Sequence, residues 1–407
     1  KQTLLNINNL SSWIRNDGWS ARNPHDGSAG TIFPRGTAPV IYQDGIIWGA
    51  IVRDSRHPSL PRMRVGGQTY RIGTVPGHII TPGSAGTPPV PSDPNSARIY
   101  RIRKDWQSLA IGQTDIIRDA AEYFNIENSQ VTVQQQQDLI NQYEEDWHHW
   151  PADLGAPYYD INQNDSWDPG IDEPGYADAD QVIWFVMNDT DNGACLDLYG
   201  SPSIGLEVQV TIWGYSGADG PLFNSGFYRY RIINKSGFQL DSMFIALWSD
   251  TDLGDSSDDF AGCDSAINLA YVYNSQLHDQ IFDGFNIPPP SFGYTFLQGP
   301  IVPFPGDTAI FNNRILSDYR NLDMTSFAYF ATGTAIPHPV IGEYEGALQW
   351  YNMLNGFIPD GDSTVQRPYT IGSGPGTGQP TRFPLSGDPF ARTGDVDGMG
   401  DNLFAGT

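Results

Sequence analysis

The sequence predicts a mainly β protein with a few helices, because its composition favours many short strands joined by tight turns. Of the 407 residues, 44 are Gly and 31 are Pro, and only 17% are charged. Gly and Pro mark turns and are poorly tolerated inside long helices. Aromatic residues make up 13% of the chain, which supplies core material and argues against disorder. The length exceeds the usual size of one hydrophobic core, so several packed domains are predicted.

The first domain, residues 1–112, is predicted to be β-rich. Short apolar runs are separated there by Gly, Pro and Asn/Asp turns, which is typical of strands. The runs are Leu4–Ile7, Val40–Tyr42, Ile46–Val52, Tyr70–Ile72 and Ile99–Ile102.

Residues 180–300 are predicted to form a β-sandwich of the fibronectin or immunoglobulin type. Four strand-like runs support this prediction: Val182–Val186, Leu206–Trp213, Phe227–Ile233 and Phe244–Trp248. The turn residues Asn234–Gly237 lie between the last two runs and predict that these two form a hairpin.

Between these domains, residues 113–179 are predicted to contain two helices followed by an acidic loop. Apolar residues at helical spacing predict a helix over Thr114–Phe124. A second helix is predicted over Thr132–Trp147, which starts with a capping box formed by Thr132 and Gln135.

The C-terminal region, residues 301–407, is predicted to be mixed. Glu343–Leu354 has the spacing of an amphipathic helix that covers a sheet. From Pro359 onwards Gly, Pro and Asp dominate, which predicts a loop-rich tail.

The charge of the chain excludes two classes of partner. Acidic residues number 47 against 22 basic ones, giving a net charge of −25. Such a chain repels nucleic acid and anionic lipid, so neither is expected as a partner. The sequence contains no run of 18 apolar residues, so membrane insertion is not expected either.

The start of the chain and its cysteines bear on the compartment. The chain begins at Lys1 with neither an initiator Met nor a signal-peptide pattern, so a processed, exported product is expected. Cys195 and Cys263 could pair in an oxidising compartment, or both could be buried thiols. Two cysteines define no framework, so the sequence leaves both alternatives open.

The acidic residues are mostly Asp, 39 against 8 Glu, and the densest cluster directly follows a predicted strand. Calcium prefers six to eight hard oxygen ligands, and Asp at close spacing in a Gly-containing bend can bring several carboxylates together. Without a cation the cluster would concentrate like charges. The alternative is a solvated acidic turn. The predicted calcium ligands are Asp250, Asp252, Asp255, Asp258, Asp259 and Asp264.

A second calcium-type loop begins with a D-x-N-x-N pattern, which resembles the opening of an EF-hand loop. It departs from that loop because Asp165 stands in place of the Gly and Ile171 in place of the closing acid. The alternative is a loop held by Asn and Asp side-chain turns. The predicted ligands are Asp160, Asn162, Asn164, Asp168 and Asp172.

Two further acidic stretches, Asp189–Gly193 and Asp395–Asp401, are equally consistent with turns and with metal sites. The sequence contains no G-x-S-x-G, H-E-x-x-H, P-loop or dinucleotide-binding pattern. No catalytic residue is therefore predicted.

Several stretches of the chain resemble secreted bacterial proteins of the type IX secretion cargo group. They are Asn6–Asp17, Trp150–Asp160, Pro169–Asp189, Tyr199–Val208 and, most specifically, Ser249–Asn274. The resemblance implies an Asp-rich loop after a strand of a fibronectin-like domain, further β-sandwich modules, and a C-terminal sorting domain. It implies a place at the cell surface and no established enzymatic activity.

Together these observations predict a secreted, calcium-stabilised, non-catalytic protein of the cell surface, such as an adhesin or a filament or sheath subunit. Its expected partners are copies of itself, other surface proteins or polysaccharide. The alternative is a secreted hydrolase or carbohydrate-binding protein that uses exposed Trp and Tyr side chains to stack on sugars.

Overall fold

A computed structural model describes residues 1–217, 220–311, 314–331, 336–362 and 364–400. Antiparallel strands dominate these residues and helices are few, so the predicted mainly β fold is confirmed. No helix among them is both long and apolar enough to cross a bilayer.

The strands of the first half are short, apart from one ten-residue strand. They are β1 (Gln2–Leu5), β2 (Ser11–Arg15), β3 (Thr31–Ile32), β4 (Pro39–Ile41), β5 (Gln43–Val52), β6 (Met63–Gly67), β7 (Val75–Pro76), β8 (Ile79–Thr81), β9 (Val90–Pro91), β10 (Ile99–Arg103), β11 (Tyr158–Tyr159) and β12 (Glu173–Pro174).

Longer strands follow. They are β13 (Gln181–Asn188), β14 (Leu206–Gly214), β15 (Phe227–Asn234), β16 (Leu240–Asp250), β17 (Asp259–Asp264), β18 (Leu269–Asn274), β19 (Ser291–Thr295), β20 (Ile301–Phe311), β21 (Arg314–Asn321), β22 (Tyr369–Thr370) and β23 (Pro380–Thr381). The α-helices are α1 (Thr114–Phe124), α2 (Val133–His148), α3 (Asn192–Tyr199), α4 (Gln280–Asp283) and α5 (Tyr344–Leu354).

The main core lies between two sheets. One has the strand order β16-β5-β6, and the other has the order β10-β13-β14-β15 with β7 also paired to β13. Alternate residues of β5, β13 and β14 meet in one buried cluster, which follows from the two-residue repeat of a strand. Trp48, Phe185 and Val208 are among its fully buried members.

Helices and loops cover the outer faces of the two sheets. On the sheet that contains β13, the side chains of Val182 and Trp184 lie on the face away from the main core. They pack against Trp150 and the segment that follows α2. On the β5 sheet, Ile47 packs against residues of α3 and α5. The two sheets are therefore buried on both faces, which explains why β13 has no exposed residue.

The predicted helices are confirmed within one residue at each end. Thr132 is the N-cap of α2, and the capping box with Gln135 is formed. Ile116, Leu139 and Tyr143 are buried between α1, α2 and the strands, as their spacing predicts.

The predicted hairpin at Asn234–Gly237 is wrong. β15 pairs with β14, whereas β16 pairs with β5 in the other sheet, so the turn joins two sheets instead of two neighbouring strands. The Asn234 side chain accepts hydrogen bonds from the Ser236 amide and hydroxyl, and Gly237 has a φ of +78°. The turn residues were recognised, but turn chemistry does not identify the partner of the next strand.

Strand pairing crosses two of the predicted domain boundaries. β5 of the first segment pairs with β16, and β10 pairs with β13, so residues 1–112 and 180–300 share both sheets and the main core. The cysteines are free and buried: the Cys195 thiol donates to the Gly73 carbonyl, and the Cys263 thiol donates to the Pro384 carbonyl. The disulfide is not formed, and the alternative of two buried thiols is the one observed.

We predict that Phe185→Ala lowers the free energy of unfolding by about 3–5 kcal/mol, because it empties a site at the centre of the shared core. Urea denaturation measures this change. Leu222→Ala, at a side chain that is 49% exposed, is the control and is expected to change stability by less than about 0.5 kcal/mol. Equal effects at the two positions would contradict the shared core.

Candidate functional site

The candidate site is the acidic loop between β16 and β17. β16 ends at Asp250, the chain reverses, and a short 3-10 helix, Ser256–Asp258, leads directly into β17 at Asp259. The bend requires Gly254, which has a φ of +77° and whose Cβ, if it had one, would collide with the Asp279 carboxylate. The loop therefore wraps around a carboxylate from another part of the chain.

Asp259 lies at the centre of this arrangement. Its side chain is fully buried, and its Oδ2 accepts a hydrogen bond of 2.8 Å from the Leu253 amide. Its Oδ1 has no hydrogen-bond partner among the residues that the structure describes. Burial, followed by the negative charges of neighbouring acids, raises the pKa of Asp259 to about 7. Those neighbouring acids are Asp258, Asp252 and Asp279.

Asp250 and Asp252 extend the cluster on the strand side. Burial and the charge of Asp252 raise the pKa of Asp250 to about 7, and burial raises the pKa of Asp252 to about 6. Among the described residues, neither these two acids nor Asp258, Asp259 and Asp279 form an ion pair with Lys, Arg or His. The cluster therefore concentrates acidic groups that no basic side chain within the described ranges neutralises.

Asp279 is a member of the site that sequence reasoning missed. It is buried and caps α4, because its Oδ1 accepts hydrogen bonds from the Ile281 and Phe282 amides. Its Oδ2 accepts a hydrogen bond of 2.8 Å from the Asp255 amide. Asp279 lies twenty residues after Asp259, the first residue of β17, and its sequence context is that of an ordinary helix N-cap. No local sequence pattern therefore connects it with the loop.

Two predicted ligands have other roles. Asp255 accepts hydrogen bonds from the Ser257 amide and hydroxyl, and these bonds lower the pKa of Asp255. Asp264 is exposed and accepts a hydrogen bond from the Ala266 amide. It lies at the far end of β17 from Asp259, about 16 Å away at the usual rise of a strand. Asp264 therefore lies too far from Asp259 for the two side chains to bind one ion, and its own role as a calcium ligand stays a prediction.

The carboxylates of the loop lie near one another, but their side chains alone do not form a complete metal-coordination site. Within the described residues, no three His, Cys, Asp or Glu side chains are close enough to hold a metal ion together. Calcium also takes backbone carbonyls and water as ligands, so a calcium site does not require three carboxylates.

The second predicted loop spans the gap between β11 and β12, whose residues pair at Tyr158–Pro174 and Tyr159–Glu173. The structure brings all five predicted residues together by hydrogen bonds within the loop. The side-chain amides of Asn162 and Asn164 both donate to Asp168 Oδ2, at 2.8 and 2.7 Å, and these hydrogen bonds lower the pKa of Asp168.

The two ends of this second loop are tied by its outer acids. The Asp160 carboxylate accepts hydrogen bonds from the backbone amides of Asn164 and Asp165. The Asp172 carboxylate accepts hydrogen bonds from the backbone amides of Ile161 and Asp168. These contacts are those of a loop held by Asx turns, which was the alternative to calcium. The side-chain amide of Asn carries an oxygen as well as an NH2 group, and a rotation of 180° exchanges their positions. The Asn162 and Asn164 side chains can therefore also present oxygen ligands to a cation.

The two weaker acidic stretches are built around buried carboxylates that accept backbone amides. Asp189 accepts from Ile204, Gly205 and Leu206, and Asp395 accepts from the amides of three loop residues, Gly372, Ser373 and Leu385. Asp401 lies outside the described residues. Both carboxylates serve to hold neighbouring loops.

Comparison with protein-family models, curated proteins and solved structures gave no match to this chain. The similarity to type IX secretion cargo therefore stays a prediction.

We predict that in EGTA the protein loses stability as the pH rises from about 5 to about 7. The folded-state pKa values of Asp250 and Asp259, about 7, lie above the ordinary value of 3.8. The folded chain therefore binds these protons more tightly, and their stabilising effect is lost as the pH passes through the raised values. Urea denaturation across this range measures the slope.

Asp259→Asn should make that slope smaller, because the amide does not titrate. Asp264→Asn, at the exposed far end of β17, is the matched control and should leave the slope unchanged. If Asp259→Asn and Asp264→Asn gave the same slope, the assignment of the titration to the buried cluster would be incorrect.

Proposed function

We propose that this chain is a calcium-stabilised, non-catalytic structural or adhesion protein that acts outside the cell. The loop between β16 and β17 is its main calcium site, centred on Asp259, whose carboxylate lies in the electrostatic field of Asp252, Asp258 and Asp279. The observation that carries the proposal is Asp259, whose side chain is fully buried while one carboxylate oxygen has no hydrogen-bond partner in the described part of the chain. A buried carboxylate of this kind is costly unless a cation compensates it.

Calcium is the cation that this donor set favours. All the side-chain donors are hard carboxylate oxygens, with no thiol or imidazole among them, and such sites prefer calcium or magnesium over zinc. The irregular bend suits calcium better than magnesium, which demands a near-octahedral arrangement. Calcium is abundant outside cells, in agreement with the expected extracellular location and the resemblance to secreted cargo.

A role in stability fits the position of the loop. It links the end of β16, a strand of the main core, to the β17-β18-β19 sheet and, through Asp279, to α4. An ion bound there would hold three parts of the chain together. Rigid connections between β units are what an extracellular scaffold requires.

The alternative, a hydrolase or sugar-binding protein, has less support. All eleven Trp residues lie within the described ranges and none of them is exposed, although Tyr159 is 50% exposed and Tyr319 is 36% exposed. A cleft of about 180 Å³ near α1 is lined by polar residues such as Arg35, Arg103 and Arg118, but by no aromatic side chain on which a sugar could stack.

We predict that calcium raises the melting temperature relative to EGTA, because it binds only the folded chain. A free concentration a hundredfold above Kd would add about 2.7 kcal/mol to the free energy of unfolding. The double variant Asp252→Asn with Asp259→Asn should lose this gain, while its stability in EGTA should equal or exceed that of the unaltered chain. Differential scanning calorimetry measures both.

Asp264→Asn is again the matched control, since it removes an acid of the same segment outside the cluster, and it should keep the full calcium response. A melting temperature that is the same in calcium and in EGTA for the unaltered chain would refute the proposal.

The number of ions tests the second loop separately. If the loop Asp160–Asp172 also binds calcium, isothermal titration calorimetry should give two ions per chain, and Asp160→Asn with Asp168→Asn should reduce this to one. A single ion that survives this double variant would assign the second loop to its hydrogen-bonded alternative.

A further inference from the structure

The cleft of about 180 Å³ beside α1 is lined almost entirely by charged and polar side chains, apart from Ile7. It lies where α1 meets the ends of β10 and β14, the segment that follows β1 and the residue before β13. A cavity of about 150 Å³ holds benzene, so a space of this size can hold a molecule of about six to ten non-hydrogen atoms.

Three arginines line this cleft, although only 22 of the 407 residues of the chain are basic. Arg35 and Arg103 are nearly buried, with 6% and 8% of their side chains exposed. Each holds a carboxylate with its Nε and Nη2 groups, Glu122 for Arg35 and Asp105 for Arg103. Neither Nη1 group donates a hydrogen bond to the described residues, and neither is enclosed, so both remain available to a ligand.

Arg118 of α1 is the third arginine of the cleft. Its nearest acid is Asp115, at 3.5 Å, and it forms no hydrogen bond with the residues that the structure describes. Burial, followed by the positive charge of Arg35, lowers the pKa of Arg118. The arginines therefore repel one another, and an anionic group bound among them relieves that repulsion. A carboxylate suits them, since hydrogen bonds between guanidinium and carboxylate are about twice as strong as neutral ones.

Asp180 adds an unpaired negative charge to the same cleft. Its Oδ2 accepts hydrogen bonds of 2.6 and 2.8 Å from the amide and the hydroxyl of Ser216, which also lines the cleft. Its Oδ1 accepts no hydrogen bond, and no Lys, Arg or His in the described part of the chain forms an ion pair with it. A carboxylate of this kind suits an ammonium group.

The charge balance of the site favours a ligand that carries both signs. Arg101, buried beneath the cleft lining, joins the network because its Nη2 donates to Asn6 and Asp119. Four arginines then face five carboxylates, so the site has a net charge of −1 on a chain of net charge −25. An anion would add to this excess, whereas a neutral zwitterion would not. The five carboxylates are Asp105, Asp115, Asp119, Glu122 and Asp180.

We propose that this cleft binds a small zwitterion of the amino acid class, with one carboxylate and one ammonium group. Arg118 and the free Nη1 groups of Arg35 and Arg103 hold the carboxylate, and Asp180 holds the ammonium group. The size of the cleft and its polar lining favour a short, polar ligand side chain. The site is separate from the acidic loop between β16 and β17, so this proposal does not rest on the calcium-stabilised role.

Isothermal titration calorimetry with L-asparagine as the probe tests the proposal. The unaltered chain should bind L-asparagine, because the probe presents both charges and fits the space. Acetate and methylamine each present only one of the two charges and should bind at least about tenfold more weakly. Acetate that binds as tightly as L-asparagine would show an anion site without a role for Asp180 and would overturn the proposal.

Two single substitutions locate the site. Arg118→Gln should weaken the binding of L-asparagine at least about tenfold, because it removes a charged donor that no hydrogen bond of the described fold uses. Asp180→Asn should also weaken binding at least about tenfold, since the amide keeps an oxygen for Ser216 but loses the charge.

Arg367→Gln is the matched control, because Arg367 is another exposed arginine with a distant acid partner, Asp360 at 3.8 Å, and lies outside the cleft. It should bind L-asparagine like the unaltered chain. Thermal melts in calcium report whether each variant is folded. An unaltered chain that does not bind L-asparagine, or binding that both cleft variants leave intact, would overturn the proposal.

Discussion

The carboxylate of Asp259 is fully buried, and only one of its oxygens accepts a hydrogen bond from the residues that the structure describes. A carboxylate in this position must be protonated, paired or bound to a cation, and no Lys, Arg or His among the described residues forms an ion pair with it. The loop around it follows the strand that completes one of the two central sheets, and it also holds Asp279 at the start of α4. The ordering of three elements therefore depends on how a single buried charge is compensated.

The helices were predicted well from the sequence because their signals are local. The capping box at Thr132 and the helical spacing of Leu139 and Tyr143 are contained within one segment. The acidic loop was also found from local density, and Asp250, Asp252, Asp258 and Asp259 do lie together around its bend. The local pattern identified these helices correctly, whereas the apolar run Tyr70–Ile72 was predicted as a strand and forms a bend.

The pairing of strands and the place of Asp279 in the acidic site could not be predicted, because both depend on contacts between segments that are distant in the sequence. An alternating strand reveals its buried face but not its neighbour, so the turn at Asn234 was wrongly assigned to a hairpin. Asp279 joins the loop through a contact between distant segments. Asp264 was included because it is close in sequence, although an extended strand carries it away from the bend.

The partnership between β5 and β16 has a consequence for how the chain acquires its structure. The two strands are about two hundred residues apart, yet they are neighbours in a central sheet. Closing so long a loop is slow, and during synthesis from the N-terminus β5 has an open edge until residue 250 has emerged. Biogenesis therefore includes a period in which a strongly apolar strand needs shielding from other chains, by a chaperone or by delayed folding.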